Sequence, residues 1–413
     1  MNKDNKSLLV EIFRETIDGV GSEEAKPAVG YPTGFLNFDF YNGYISTEKM
    51  PDGSLHKYFT LGITDGSYVV FIGFTGTGKT TLVCQIAANI IRQFPKGAIW
   101  EDSIEGGLTT QRRMSLSGFV TEEEYNRRYI IRDSSITAEN FYDRIKRIYN
   151  IKMEHRKELE YDTGHRDLYG NPIMKLEPTI YIIDSLAVLM PEKFIAENNS
   201  DIANNTTGAN EARIIGNIFK TILPLLKGAN IILFGINHVK KKPQMGNMPE
   251  KQTVPYLKIG ETIPKGSTAT YLANNIIRIE KKESLKPDQG FKIQGTISSL
   301  QIVKSRSSGY KEEFPLVYDF VNGFDPFLSL FQTLKDKKLV YGAGVSYSLD
   351  PDKTFTFSQS SLREKINNDE EFRNYFLTHC VNYLKTLPKE PKNSEFNTKI
   401  VDNMLHNKDL FEI

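Results

Sequence analysis

The sequence predicts an α/β fold with a central, mostly parallel sheet, a short N-terminal helix and a small α+β unit at the C-terminus. Three observations predict it. Apolar strand-like runs alternate with helical patterns from about 60 to 330, which is how a doubly wound parallel sheet reads in sequence. A glycine-rich turn, Gly73-Phe74-Thr75-Gly76-Thr77-Gly78-Lys79-Thr80, joins one of these strands to a helix. Well downstream a second apolar strand, Thr179-Ile-Tyr-Ile-Ile183, ends in Asp184. The chain divides accordingly into an N-terminal helix and linker (1–30), an α/β core (31–330) and a small C-terminal domain (331–413).

In chain order, residues 7–17 carry Leu8, Leu9, Ile12 and Phe13 at helical spacing. That amphipathic helix either packs on its own domain or docks on a neighbouring subunit. The strand candidates are 68–72, 98–100, 179–183, 230–236, 275–279 and 299–303. A helix over 209–227 gathers Ile214, Ile215, Ile218, Phe219, Ile222 and Leu226 on one face, with Pro224 near its end. Residues 152–178 are dense in charge and turn formers and read as a solvated surface insertion; His155 and His165 lack metal-ligand spacing. Residues 197–210 read as a polar, flexible connection. Residues 239–268 form a long loop in which Lys240, Lys241, Lys242, Lys251, Lys258 and Lys265 face only Glu250 and Glu261. Loops of that length in a compact domain are usually functional or disordered.

The glycine-rich turn is a P-loop, G-x-x-x-x-G-K-T, in the strand–turn–helix setting that gives the motif its meaning. Glycines let the backbone wrap a phosphate without Cβ clashes, so N–H groups and the helix N-terminus face the anion. Residues 73–81 therefore form the expected nucleotide-binding set, with Thr81 continuing the helix start. Lys79 reaches the β- and γ-phosphates, and Thr80 and Asp184 hold Mg²⁺, so the expected cofactors are ATP and Mg²⁺. Hydrolysis also needs a group that orients water. Glu105 is the first choice, with Glu101 and Asp102 as alternatives, and all three acids could equally do no more than solvate a strand end. Asn237, at the tip of the 230–236 strand, is placed to sense the γ-phosphate; His238 contacts the following loop or lies on the surface.

Composition narrows the class. Hydrophobic residues make up 39% of the 413 and charged residues 25%, proportions typical of globular domains. The two cysteines, Cys84 and Cys380, are too far apart for a metal motif and favour a reducing compartment. No run is long enough to span a bilayer, and Met1–Lys6 leads into no signal-type apolar core. The net charge of +1 means that any nucleic-acid site must be a local patch.

Five segments together resemble the RecA-type recombinases, most closely the phage recombinases of the UvsX type. They are Tyr31-Pro-Thr-Gly-Phe-Leu-Asn-Phe-Asp39, Ile183-Asp-Ser-Leu-Ala-Val-Leu-Met-Pro191, Gly235-Ile-Asn-His238, Ile302-Val-Lys-Ser-Arg306 and Gly323-Phe-Asp-Pro-Phe-Leu-Ser-Leu330. They occur in the family's order, from about 30 to 350. The resemblance implies a RecA-like P-loop ATPase core that polymerises on single-stranded DNA, pairs it with duplex DNA and exchanges strands. It implies DNA contacts from loops at about 194–212 and 239–268, through Arg213 and the six lysines of the second loop. It also implies that Lys304 and Arg306 complete the ATP site of an adjacent subunit in a helical filament, and that the N-terminal helix docks on that neighbour. Single-stranded-DNA-binding and mediator proteins would be further partners, in a host cytoplasm or a phage replication compartment.

This sequence departs from the family in four ways. Arg112 stands where a tyrosine usually stacks on adenine, and a guanidinium plane can replace it. One extra residue separates the acidic strand end from Glu105, the 152–178 insertion is long, and the C-terminus lacks an acidic tail. Two rivals share the core: a ring-forming helicase, for which the first 30 residues leave no helical N-terminal domain, and a DNA-coating protein that binds ATP without hydrolysing it.

Overall fold

A computed structural model describes residues 27–133, 136–197, 205–242, 252, 254–263, 267–285, 293–306 and 312–388. Its centre is a nine-stranded sheet: β1 Tyr68–Gly73, β2 Ala98–Ser103, β3 Tyr129–Arg132, β4 Thr179–Asp184, β5 Ile231–His238, β6 Asn275–Ser284, β7 Gly295–Ser305, β8 Glu313–Asp319 and β9 Gly323–Asp325. The strand order is β9-β8-β7-β6-β1-β5-β4-β2-β3. Strands β6, β1, β5, β4, β2 and β3 run parallel, and β7, β8 and β9 add an antiparallel edge. The α/β class and the mostly parallel sheet expected from sequence are therefore present; five of the six strand candidates fall within sheet strands, and the sixth, 230–236, begins one residue before β5. Strand β3 and the β8–β9 hairpin were not anticipated: four residues bearing two arginine-flanked isoleucines are too short a pattern to read.

Both faces of the sheet are covered, which is why its parallel strands are continuous apolar runs. Val69 and Phe71 of β1 join one cluster, with Leu82, Ile86 and Ile90 of α1 (Lys79–Ile91). Tyr68, Val70 and Ile72 join the other, with Phe141 and Ile145 of α2 (Ala138–Glu154) and Phe219 and Ile222 of α3 (Asn205–Gly228). The first cluster continues without a break into Leu328, Phe331 and Leu334 of α4 (Pro326–Asp336) and Phe372, Phe376 and Cys380 of α5 (Glu370–Leu384).

Two regions differ from expectation. Helix α3 starts at Asn205, inside the segment read as a flexible connection; residues 198–204 lie outside the described ones. Most of 152–178 is not a loose insertion. It ends α2, then forms an antiparallel hairpin, Glu160–Arg166 with Pro172–Leu176. That hairpin packs on a second one, Tyr44–Lys49 with Leu55–Thr60. His165 stacks on Tyr58 at 3.9 Å, and Glu48 accepts from Arg166 N (3.0 Å) and bonds His56 Nδ1 (2.9 Å). Turn formers in the segment mark the bends of a packed hairpin, which charge density concealed. The N-terminal helix expected at 7–17 lies outside the described residues.

Candidate functional site

The site gathers at the carboxyl ends of β1, β2, β4 and β5, where an open parallel sheet presents its loops. Gly76 and Gly78 hold positive φ of +78° and +85°. A Cβ on Gly73 would sit 2.4 Å from Ile279 O, and one on Gly78 would press on Phe324 at 3.0 Å. Only glycine fits at these two points. Lys79 is buried at the start of α1, and its Nζ donates to Gly73 O (3.1 Å) and Phe74 O (2.8 Å). Burial lowers its pKa to about 8, against the pull of Asp184 and Glu105. Thr75 and Gly76 are exposed, whereas Thr77 is buried and its hydroxyl donates to Phe74 O (2.9 Å). The loop is a cradle of backbone around a lysine, open on the side of Thr75 and Gly76.

Asp184 ends β4 two strands from β1, with β5 between them. Its Oδ2 accepts from Thr80 Oγ1 at 2.7 Å, and burial pushes its pKa up to about 6. Thr80 and Asp184 thus offer adjacent hard oxygen donors of the kind that suit Mg²⁺.

The three acids after Trp100 separate cleanly. Glu101 is buried, gripped by Arg113 through Nε (3.0 Å to each oxygen) and Nη2 (2.7 Å), and it also accepts from Tyr129 OH (2.5 Å). Asp102 is buried on the other face, bonded to Arg144 and Tyr181 OH. Glu105 alone is exposed. Its carboxylate accepts from Ser185 Oγ and lies 2.9 Å from His238 Nε2. Ligand atoms of Glu105, Asp184 and His238 fall within 4.8 Å of one another. Alternation along β5 decides which residue at its tip joins them. Asn237 is buried on the α3 side of the sheet and donates to Thr270 Oγ1 (3.1 Å), so His238, not Asn237, meets Glu105.

Arg112 does not lie free to stack. Its guanidinium donates to Val321 O and to Phe320 O (3.1 Å) in the turn between β8 and β9. The aromatic surface beside the cradle is instead Tyr318 and Phe324, stacked at 4.6 Å against Gly78, with Tyr318 OH 3.4 Å from Thr81 Oγ1. Nothing in the sequence linked these two residues to the P-loop, because the antiparallel hairpin brings them there. Ser185, by contrast, was legible as the residue after Asp184.

Lys304 lies near the end of β7 and Arg306 just beyond it; β7 runs antiparallel to β6, with Lys304 opposite Ile276 and Ile276 opposite Val70. They therefore stand towards the amino ends of the parallel strands, away from the cradle of their own chain. Lys304 Nζ donates to Tyr271 O (2.6 Å), and Arg306 is exposed. Of the basic residues assigned to DNA, Arg213, Lys240 and Lys241 are exposed and Lys242 half-buried. Lys258 is tied to Glu280 at 2.7 Å. Lys251 and Lys265 lie outside the described residues.

No protein-family model matches the chain, and no curated protein aligns with it significantly. Among the described residues no helix is long and apolar enough to cross a membrane.

Proposed function

We propose that this chain is an ATP-dependent recombinase with a RecA-like core, forming filaments on single-stranded DNA and exchanging strands with a homologous duplex. The observation that carries the reading is the split arrangement of its charges. The glycine cradle with Lys79, Thr80, Asp184 and Glu105 lies at the carboxyl ends of the parallel strands, and Lys304 and Arg306 stand towards their amino ends. A cation pair directed away from its own cradle is suited to the cradle of a second copy.

In this reading the loop amides and Lys79 bind the β- and γ-phosphates, and Tyr318 and Phe324 offer the base an aromatic wall. Thr80 and Asp184 hold Mg²⁺, which when bound neutralises charge on the phosphates. Glu105 accepts the proton of the attacking water, oriented by Ser185 and His238. His238 begins the connection to Lys240–Lys242, so a phosphate touching the Glu105–His238 pair reaches the basic loop by one short path. Lys240, Lys241 and Arg213 supply exposed charge for a sequence-independent grip on phosphates.

ATP hydrolysis with and without single-stranded DNA, in wild type and Lys304→Ala, tests the reading. Strong DNA stimulation that the variant loses is expected. Equal, DNA-independent turnover in both proteins overturns the recombinase mechanism, and absence of turnover in the presence of tight DNA binding favours the coating protein.

A further inference from the structure

The basic loop after β5 has two legs, and the structure fastens both to the strands that flank the cradle. Val239 N donates to Gly73 O (3.0 Å), which joins the first leg to the end of β1. Lys240 and Lys241 pair antiparallel with Thr262 and Glu261, and Lys242 N donates to Gly260 O (2.8 Å), which zips the two legs together. The second leg then meets Arg278 of β6. Arg278 is 1% exposed. Its guanidinium donates to Glu261 Oε2 (2.7 Å) and Oε1 (2.6 Å) and to Glu280 Oε1 (2.8 Å from Nε). Lys258 closes the group by donating to Glu280 Oε2 (2.7 Å), and Lys258 N donates to Glu261 Oε2 (2.8 Å). Two cations and two carboxylates balance.

Arg278 lies opposite Ile72 of β1, and the carbonyl of the next residue, Ile279, is the atom against which Gly73 is packed. The same few residues of β1 and β6 therefore carry the cradle and the root of the loop. A guanidinium whose fork is committed to carboxylates in fixed directions holds orientation as well as charge.

We propose that Arg278 is a positioning residue that pins the root of the basic loop to the strand beside the P-loop and makes polyanion binding by Lys240–Lys242 depend on the bound nucleotide. This rests on the reading of the chain as an ATP- and DNA-binding protein. Without Arg278 the lysines keep their charge but lose their fixed relation to the cradle, so DNA binding persists and its nucleotide dependence does not.

The test measures binding of a fluorescein-labelled oligo-dT to the full chain in a non-hydrolysable ATP analogue and in ADP. Wild type is expected to prefer the ATP-analogue state by about tenfold or more, an ordinary coupling between sites. Arg278→Met/Glu261→Gln, which leaves no unpaired charge at the pin, is expected to bind the analogue normally and to lose that preference. Lys240→Ala, which removes an exposed loop charge and spares the Arg278–Glu261–Glu280–Lys258 group, is expected to weaken binding in both states and keep the preference. If the double variant melts early, Arg278→Lys, which keeps the charge but not the fork, is read in the same way. Full preference retained in the folded Arg278 variant overturns the inference alone. Failure of wild type to bind the oligonucleotide in either state overturns the recombinase reading and the inference with it.

Discussion

Glu101 and Asp102 at the end of β2 and Glu105 just beyond it have the same chemistry and opposite fates. Glu101 and Asp102 each meet an arginine in the interior, Arg113 on one face of the sheet and Arg144 on the other. Among the described residues Glu105 meets only Ser185 and His238, at the surface. A buried carboxylate whose oxygens are taken up by a guanidinium has no open side for a water, whereas an exposed one bonded to a hydroxyl and an imidazole does. Partners, not residue type, decide which of these acids is locked in the interior and which stays open. Asp39 adds a third case, a buried acid with no arginine among the described residues, held by Thr33 N (2.8 Å) and Thr33 Oγ1 (2.7 Å).

The contrast can be broken at its strongest point first. Arg113→Met strands Glu101 in the interior and should cost about 3–5 kcal/mol of stability, read as a lower urea midpoint. Little destabilisation would mean that Glu101 is not held by charge. Glu105→Gln should leave the unfolding free energy from urea titration within about 0.5 kcal/mol and lower steady-state ATP turnover by about 10²–10⁴-fold. Nucleotide affinity, followed with a fluorescent ATP analogue, should be unchanged. A Glu105→Gln protein that turns over normally would move the proton acceptor elsewhere.

Asp39 sharpens the comparison through pH. Burial pushes its pKa from 3.8 up to about 7, against the Thr33 hydrogen bonds. The folded state therefore binds this proton more tightly than the unfolded chain. The stability it contributes is fully present below 3.8 and is lost as pH rises through about 7. Its share of the slope approaches about 1.4 kcal/mol per pH unit within that window. Urea unfolding of wild type and Asp39→Asn at a series of pH values should show the variant's curve flatter by that slope, and parallel curves would refute the assignment. The smallest effect is expected at the surface. Lys240→Ala should weaken oligo-dT binding uniformly and reduce the salt slope by about 1, and an unchanged slope would remove Lys240 from the contact.

The cradle was legible because its chemistry is local. Glycines at 73, 76 and 78, then Lys79 and Thr80, lie within one short stretch, and adjacency is what a sequence records. The parallel strands were legible because burial on both faces makes them unbroken apolar runs. Asp184 was legible as the end of such a run. The partner of Glu105 was not, since Asn237 and His238 are neighbours in sequence and only the pleat of β5 sends one to Thr270 and the other to Glu105.

By itself the sequence determined the α/β class, the glycine-rich turn with Lys79 and Thr80, and the aspartate that stands beside them. These follow from short-range patterns of period and spacing that survive in one dimension. Tertiary structure alone decided which of three acids stays open, that Tyr318 and Phe324 line the cradle, that residues 160–176 pack as a hairpin, and that Arg278 grips the root of the basic loop. Each of those is a contact between strands far apart in the chain, set by register and by which face a side chain takes, and a shift of one residue along a strand would reverse it.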